Sequence, residues 1–350
     1  MKTAIVHDWL LSSIGGAEKV LQELYRLFPS PIYTLFWNKK PFFNAKMVPS
    51  VLQRLPWTLK KFRLYLPLFP YAIEQFDLRG YDLILSSSHC VAKGVLTHPD
   101  QLHICYCHTP MRYAWDLTHD YGKEAHFLGR WILHYLRGWD VHSTHRVDHF
   151  IANSHFVKKR ILRTYGRDAA VIYPPVDTEF FQLQEEKEEF YLAVSRLVAY
   201  KKIDLLVEAF AQMPQRRLIV VGDGPERGKM RCLSNVEFLG AQSDVALREF
   251  YQKARALLFP GIEDFGIVPV EAMACGTPVL ALRSGGVTET VLDQGTGLFF
   301  EEQTVQAIHD VITRFEQSSL WSPAQIRAHA LQFSKERFRQ QMQSTVQGLI

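Results

Sequence analysis

The chain has 350 residues, 47% hydrophobic and 22% charged, which excludes a disordered polypeptide and leaves apolar material for two cores. Forty basic against 36 acidic residues give a formal net charge of +4, too balanced for a nucleic-acid coat or a polybasic tail. Five cysteines, none in Cys-x-x-Cys spacing, argue against a disulfide framework or a structural zinc site and suit a reducing cytoplasm.

Charge is uneven along the chain. Residues 1–180 hold 22 Lys/Arg and 15 Asp/Glu, and the remainder holds 18 and 21. A basic first half beside a mildly acidic second half predicts two domains with different partners, anionic lipid or another anionic group suiting the first. The opening stretch has one lysine and a short apolar run interrupted by His7 and Asp8. It reads as a buried strand over Thr3–Val6 and not as a signal peptide. No apolar run approaches the ~20 residues that cross a bilayer, so membrane contact is expected to be peripheral.

In chain order, a Gly-rich turn at 12–16 leads into an amphipathic helix over Ala17–Phe28, with Val20, Leu21, Leu24 and Leu27 on one side. The segment Arg54–Tyr71 (RLPWTLKKFRLYLPLFPY) admits a helix from Pro56 with Leu55, Leu59, Phe62 and Leu66 on one face. Lys60, Lys61 and Arg63 fall away from that face. Two readings fit: an interfacial helix on an anionic membrane, or an excursion packed on the first core. Strands follow over 81–86, 103–107, 148–154 and 170–173, with a helix over 155–165 between the last two. Strands alternating with helices predict a parallel, doubly wound sheet.

Pro174 through Glu189 reads as an interdomain linker. The alternation then restarts, with strands at 190–195, 217–222, 236–240, 256–260 and 278–282. Helices are predicted over 203–213 and within 265–275, and a polar helix over about 333–349 closes the chain. The domains predicted are 1–173, 190–332 and a terminal helix 333–350.

Glu263 and Glu271 lie eight apart around Asp264-Phe265-Gly266-Ile267-Val268. That run predicts a loop opening into a helix, whose N-terminus offers unpaired N–H groups to a diphosphate. Glu263 precedes the terminus, placed for sugar hydroxyls. Glu271, about two turns along, reaches another part of a long ligand such as a ribose. Without context, such a pair is two ordinary helix carboxylates. Gly222 and Gly224 hint at a dinucleotide fingerprint, but Arg227 occupies the third glycine position and removes that reading. The histidines show no HExxH spacing or clear ligand set, so no metal site is expected.

The Glu-x7-Glu block, with Gly285-Gly286 and Glu289 after it, resembles the donor-binding signature of glycosyltransferase family 4. Those are retaining enzymes of the GT-B fold, two Rossmann-like domains facing across a cleft. The resemblance covers nearly the whole chain. Arg196 and Lys201 resemble the family's diphosphate clamp, with Lys202 where the family usually has glycine. Gly222-Asp223-Gly224 resembles the next strand end, and Gly15-Gly16 the N-terminal glycine loop. Phe333-Ser334 and Arg337-Phe338 resemble the start of a terminal crossover helix, expected here to be short.

By the same resemblance, His108 is the strand-end histidine near the sugar's reactive carbon; read alone, it is equally a loop histidine. The run His-Thr-Pro-Met-Arg-Tyr-Ala-Trp-Asp resembles members that add mannose or related sugars to bacterial surface polysaccharides, and it nominates Arg112, Tyr113 and Asp116 for the acceptor. The implied protein is a metal-independent hexosyltransferase without cofactor. It would take GDP-mannose in preference to UDP-sugars and act on a lipid-linked or polysaccharide acceptor. Rival readings are a nucleotide-sugar-binding regulator on the same scaffold, a sugar-nucleotide epimerase, and a phosphorylase, for which no pyridoxal-lysine segment is evident.

Overall fold

The computed structural model describes residues 1–11, 15–40, 42, 44–56, 61–116, 127–318 and 321–350. These form two compact units, Met1–Pro174 with Phe338–Ile350, and Pro175–Arg337. Part of the predicted Gly-rich turn, residues 12–14, and part of the Arg54–Tyr71 segment, residues 57–60, lie outside the described residues.

The first unit is built on β1 (Thr3–Leu10), β2 (Ile32–Trp37), β3 (Met47–Pro49), β4 (Leu83–Ser88), β5 (Leu102–Cys107), β6 (His149–Ala152) and β7 (Ala169–Val171). Among the described residues they form one sheet, ordered β3-β2-β1-β4-β5-β6-β7 and parallel throughout. A parallel sheet covered on both faces buries its strands completely. That explains why β1 runs through His7 and Asp8, both fully buried, where the sequence suggests an interruption. The Gly16–Leu27 helix buries Val20, Leu21 and Leu24 against Ile5, Ile32 and Leu85. The helix over His155–Tyr165 has the bounds the sequence predicts. The Ser154 hydroxyl accepts from the Val157 N–H at 3.0 Å, and Gly166 in the left-handed region ends it.

The second unit has β8 (Phe190–Val194), β9 (Arg217–Val221), β10 (Val236–Gly240), β11 (Ala256–Phe259), β12 (Val279–Leu282) and β13 (Gly297–Phe300). Their order is β10-β9-β8-β11-β12-β13, again parallel. Each unit is thus Rossmann-like, and together they are the two-domain GT-B architecture.

Three expectations change. The 174–189 stretch is fastened to the second unit. Val176 and Phe181 are buried, and the Arg327 guanidinium donates to the Phe181 and Thr178 carbonyls. Lys187 is anchored by Gln252 O, Cys275 O and Thr277 Oγ1, and burial pushes its ammonium down to about 8. The terminal helix, Lys335–Gln347, also differs from a polar tail. Phe338, Met342 and Val346 recur every fourth residue and enter the first unit's core beside Tyr106 and Ile172. In the Arg54–Tyr71 segment, residues Phe62–Leu68 form a 3-10 helix. Of the two readings left open for Phe62 and Leu66, a membrane-facing stripe or a face on the first core, these two residues follow the second and pack inward with Trp9 and Phe36. Among the described residues of the segment, Leu55, Leu64, Leu68 and Tyr71 are exposed large apolar side chains.

A buried ion pair stiffens the first unit. Lys93 pairs with Asp140, both essentially inaccessible, and Asp140 Oδ2 also accepts from Trp115 Nε1 at 2.8 Å and Tyr165 OH at 3.0 Å. Removing one partner strands a charge in the interior. Lys93→Met is expected to destabilise the first unit by about 3–5 kcal/mol. Adding Asp140→Leu should recover part of that loss. Urea denaturation of the two variants checks both expectations.

Candidate functional site

In an open parallel sheet, ligands bind beyond the carboxyl ends of the strands where the strand order reverses. In the second unit that point lies between β8 and β11. The loop after β8 carries Ser195 to Lys202 and the loop after β11 carries Pro260 to Gly266, so topology alone brings two distant motifs together. Lys201 and Glu263 form an ion pair, each about one-fifth exposed. Arg196 lies on the same loop and is exposed. Lys202 has φ +56, a left-handed backbone that glycine adopts without strain, which gives a physical reason for glycine at that place in the resembling proteins.

Close backbone packing sets the two loops. A Cβ on Gly222 would collide with the Ser195 carbonyl oxygen, and one on Gly285 would lie 2.5 Å from the Glu263 carbonyl oxygen. Gly222 therefore works by letting β9's end nest under the Ser195–Leu197 loop, a support role beside the donor contact expected for it. The Gly286 N–H donates to Glu263 O at 2.8 Å, tying the acidic loop to the turn after β12.

The Ile267–Ala274 helix begins at Gly266, φ +89, with no side chain capping it. Its first N–H groups, those of Ile267 and Val268, stand at the positive end of the helix, and Pro269 contributes none. Phe265 is buried and stacks on Phe333 at 5.8 Å between ring centroids, which steadies the turn. Glu271 is 2% exposed and accepts from Tyr251 OH at 3.1 Å.

In the first unit the order reverses between β1 and β4. His108 follows β5. Its Nε2 lies 2.9 Å from Ser87 Oγ, and its carbonyl accepts from Asn153 Nδ2 at 3.0 Å. Around it stand residues the sequence reading did not nominate. His7 Nδ1 lies 3.1 Å from the same Ser87 hydroxyl. Asp8 accepts four backbone N–H bonds, from His89 (2.6 Å), Cys90 (3.0 Å), Val91 (2.6 Å) and Ala92 (2.8 Å). His89 Nδ1 is 3.0 Å from Asp8 Oδ2. The available signal was polar residues at strand ends, but it becomes specific only once β1 and β4 are known to be neighbours.

Other nominated residues are placed differently. Gly15 caps the first helix in extended backbone, and its N–H donates to Glu18 Oε2 at 2.9 Å. Gly16 is the first helical residue. Tyr113 packs on the first core under the Arg63 guanidinium, 5.8 Å from its ring centroid. Asp116 pairs with Arg160. Arg112 begins a short helix ending at Trp115. Among the described residues, no group of three His, Cys, Asp or Glu is arranged to hold a metal ion, and no helix is long and apolar enough to cross a membrane.

Two Rossmann-like units in one chain, each with polar residues at its switch point, match the architecture of a GT-B protein. Comparison with known families makes this specific. Residues 14–180 match Glycosyltransferase Family 4, and residues 176–333 match Glycosyl transferases group 1. The chain belongs to the family-4 glycosyltransferases of the GT-B fold. It is 32% identical over 178 residues to an uncharacterised glycosyltransferase of Methanocaldococcus jannaschii, covering 49% of this chain and 50% of that one. It is 28% identical over 279 residues to an alpha-1,3/1,6-mannosyltransferase of Kluyveromyces lactis, covering 63% and 53%. The chain spans about half the length of the curated relatives it matches. Among solved structures, sucrose-phosphate synthase of Thermosynechococcus elongatus superposes with a TM-score of 0.78 at 20% identity, over 100% of this chain and 99% of that one. Anabaena HepE in complex with UDP-glucose gives 0.72 at 19% identity, over 99% and 100%. Likenesses at these identities carry the fold alone.

The buried histidines make stability pH-dependent. Burial pushes the His103 imidazole down to about 4, and burial likewise lowers His7 and His108. Histidine in an unfolded chain titrates near ~6.5, so below that value the unfolded state binds more protons than the folded one. Stability is therefore full above about pH 6.5 and lost as pH falls toward 4. His103 alone should account for about 2 kcal/mol between pH 7 and pH 5. Urea midpoints at the two pH values check this, and His103→Gln should remove the His103 share while the contribution of His7 and His108 remains.

Proposed function

We propose that the chain is a retaining, metal-independent glycosyltransferase that moves a hexose from a nucleotide sugar to a lipid-linked or polysaccharide acceptor. The observation carrying this reading is the meeting of Lys201 and Glu263 at the second unit's switch point, beside the uncapped helix start at Gly266. As the glycosidic bond breaks, negative charge grows on the leaving diphosphate. Arg196, Lys201 and the N–H groups of Ile267 and Val268 are fixed positive groups that stabilise that charge as it develops. They supply what a divalent ion supplies elsewhere.

Glu263 holds Lys201 in place and presents a carboxylate to sugar hydroxyls, while Glu271, steadied by Tyr251, serves the ribose. The first unit takes the acceptor, with His108 as its catalytic group and Arg112, Tyr113 and Asp116 nearby in sequence. The donor we favour is GDP-mannose; the likeness to the Kluyveromyces lactis mannosyltransferase supports the sugar.

Arg196→Ala and Lys201→Ala should each cost about 2–4 kcal/mol of transition-state stabilisation without unfolding the protein. Initial rates of transfer from GDP-mannose and from UDP-glucose, each with and without EDTA, test the proposal. Loss of turnover in both variants, survival in EDTA and a preference for GDP-mannose are expected. Wild-type rates in both variants would overturn the clamp assignment.

One observation supports a second aspect, contact with an anionic membrane surface. Leu64, Leu68 and Tyr71 are 68%, 45% and 60% exposed in a segment that also carries Lys61 and Arg63. Apolar side chains flanked by cations suit the bilayer interface. Flotation with anionic liposomes at low salt should carry the protein upward, and high salt should release it. Leu64→Glu with Leu68→Glu should abolish flotation and leave donor binding unchanged. A wild-type protein that stays below the liposomes at low salt sinks this aspect.

A further inference from the structure

The neighbours of His108 form a chain that the donor site does not explain. β1 and β4 lie side by side with His7 in register with Ser87. Ser87 Oγ stands between two imidazole nitrogens, His7 Nδ1 at 3.1 Å and His108 Nε2 at 2.9 Å. All three residues are buried, His108 retaining 9% exposure. A serine hydroxyl has one hydrogen. If it donates to one ring, it must accept from the other, so the two histidines cannot choose their tautomers independently.

Two arrangements satisfy both bonds. In the first, His7 Nδ1–H donates to Ser87, Ser87 donates to His108 Nε2, and the His108 proton sits on Nδ1. In the second, every direction reverses. His7 Nε2 decides between them, because it is buried and has no hydrogen-bond partner among the described residues. The first arrangement leaves a bare lone pair there, and the second leaves an orphaned N–H. Among backbone groups, buried N–H donors left orphaned are rarer than under-satisfied acceptors, and the same preference disfavours the second arrangement here. We propose that His7 and Ser87 are positioning residues that hold the His108 proton on Nδ1, so that His108 meets a substrate oxygen as a hydrogen-bond donor.

The surroundings suit this arrangement. Facing His7 are Asp8 on its own strand, Glu18 on the first helix, and Ser87 and His89 at the end of β4. Facing His108 are His7, His89 and Tyr106. Burial pushes the His108 imidazole well below its ordinary value, and its neighbours His89 and His7 push it the same way, which favours the neutral ring. The loop bearing His89 is held by the four N–H bonds to Asp8, so the cluster has little freedom to reorganise. A neutral donor on this ring orients a substrate hydroxyl or carbonyl oxygen and does not remove its proton.

The inference rests on His108 touching substrate, as proposed above, and the test separates the two. Protein labelled with 15N-histidine is examined at pH 7.5 by long-range 1H–15N correlation, with His108→Gln assigning the resonance. The expected result is a protonated Nδ1 on His108 in wild type and a mixed or reversed tautomer in Ser87→Ala. Ser87→Thr keeps a hydroxyl and should retain the wild-type pattern. In transfer assays, Ser87→Ala should lower kcat by on the order of tenfold with donor KM unchanged, and Ser87→Thr should restore most of it. A protonated Nε2 in wild type, or an unchanged tautomer and kcat in Ser87→Ala, overturns the proposal. If wild type transfers no sugar from any donor, the functional reading fails, yet the tautomer measurement still decides this inference.

Discussion

Each unit depends on the point where its parallel sheet changes winding direction. At β1/β4 and at β8/β11, adjacent strands send their following loops to opposite faces, and no crossover covers the gap between them. The inner strands are paired on both sides, so polar side chains near their carboxyl ends are the groups the sheet offers to a ligand. The residues with functional potential collect there for that reason: His7, Asp8, Ser87 and His89 in one unit, Arg196, Lys201 and Glu263 in the other.

The polar interior of the first unit has a cost that hydrogen bonding offsets. A bare carboxylate at the position of Asp8 would be expelled from the core. Four N–H donors and a neighbouring imidazole make it a fixed anchor. Lys93 and Asp140 follow the same logic a few residues away, with Trp115 and Tyr165 completing the pair. Such networks hold a single arrangement, because any displaced member leaves a buried group unpaired. That rigidity is what a site needs when it must hold a proton on one particular nitrogen.

The second unit solves a different problem, bringing backbone close to backbone. Gly222 and Gly285 let neighbouring loops pass within a distance no side chain allows. Lys201 and Glu263 can then meet without either being fully buried, which keeps their charges hydrated and available. A charged pair at partial exposure is a modest contributor to stability and a good reservoir of binding chemistry.

The fold class was legible in local patterns of the sequence, continuous apolar runs for buried parallel strands and 3.6-residue periodicity with cap residues for helices. The helix bounded by Ser154 and Gly166 and the strands at 190–194 and 236–240 show this. The sequence also placed Glu263 and Glu271 on one continuous loop and helix, where the structure has them. It did not disclose β2, β3 or the Phe127–His142 helix, whose bounds carry weak turn and cap signals. Nor did it show that Phe338, Met342 and Val346 enter the first core, because that stripe is thinly spread in a polar helix. The His7–Ser87–His108 chain was invisible for a deeper reason. Those residues lie 80 and 21 positions apart, and nothing local says that β1 pairs with β4. Only tertiary structure sets strand order, and strand order decides which side chains share one hydroxyl hydrogen.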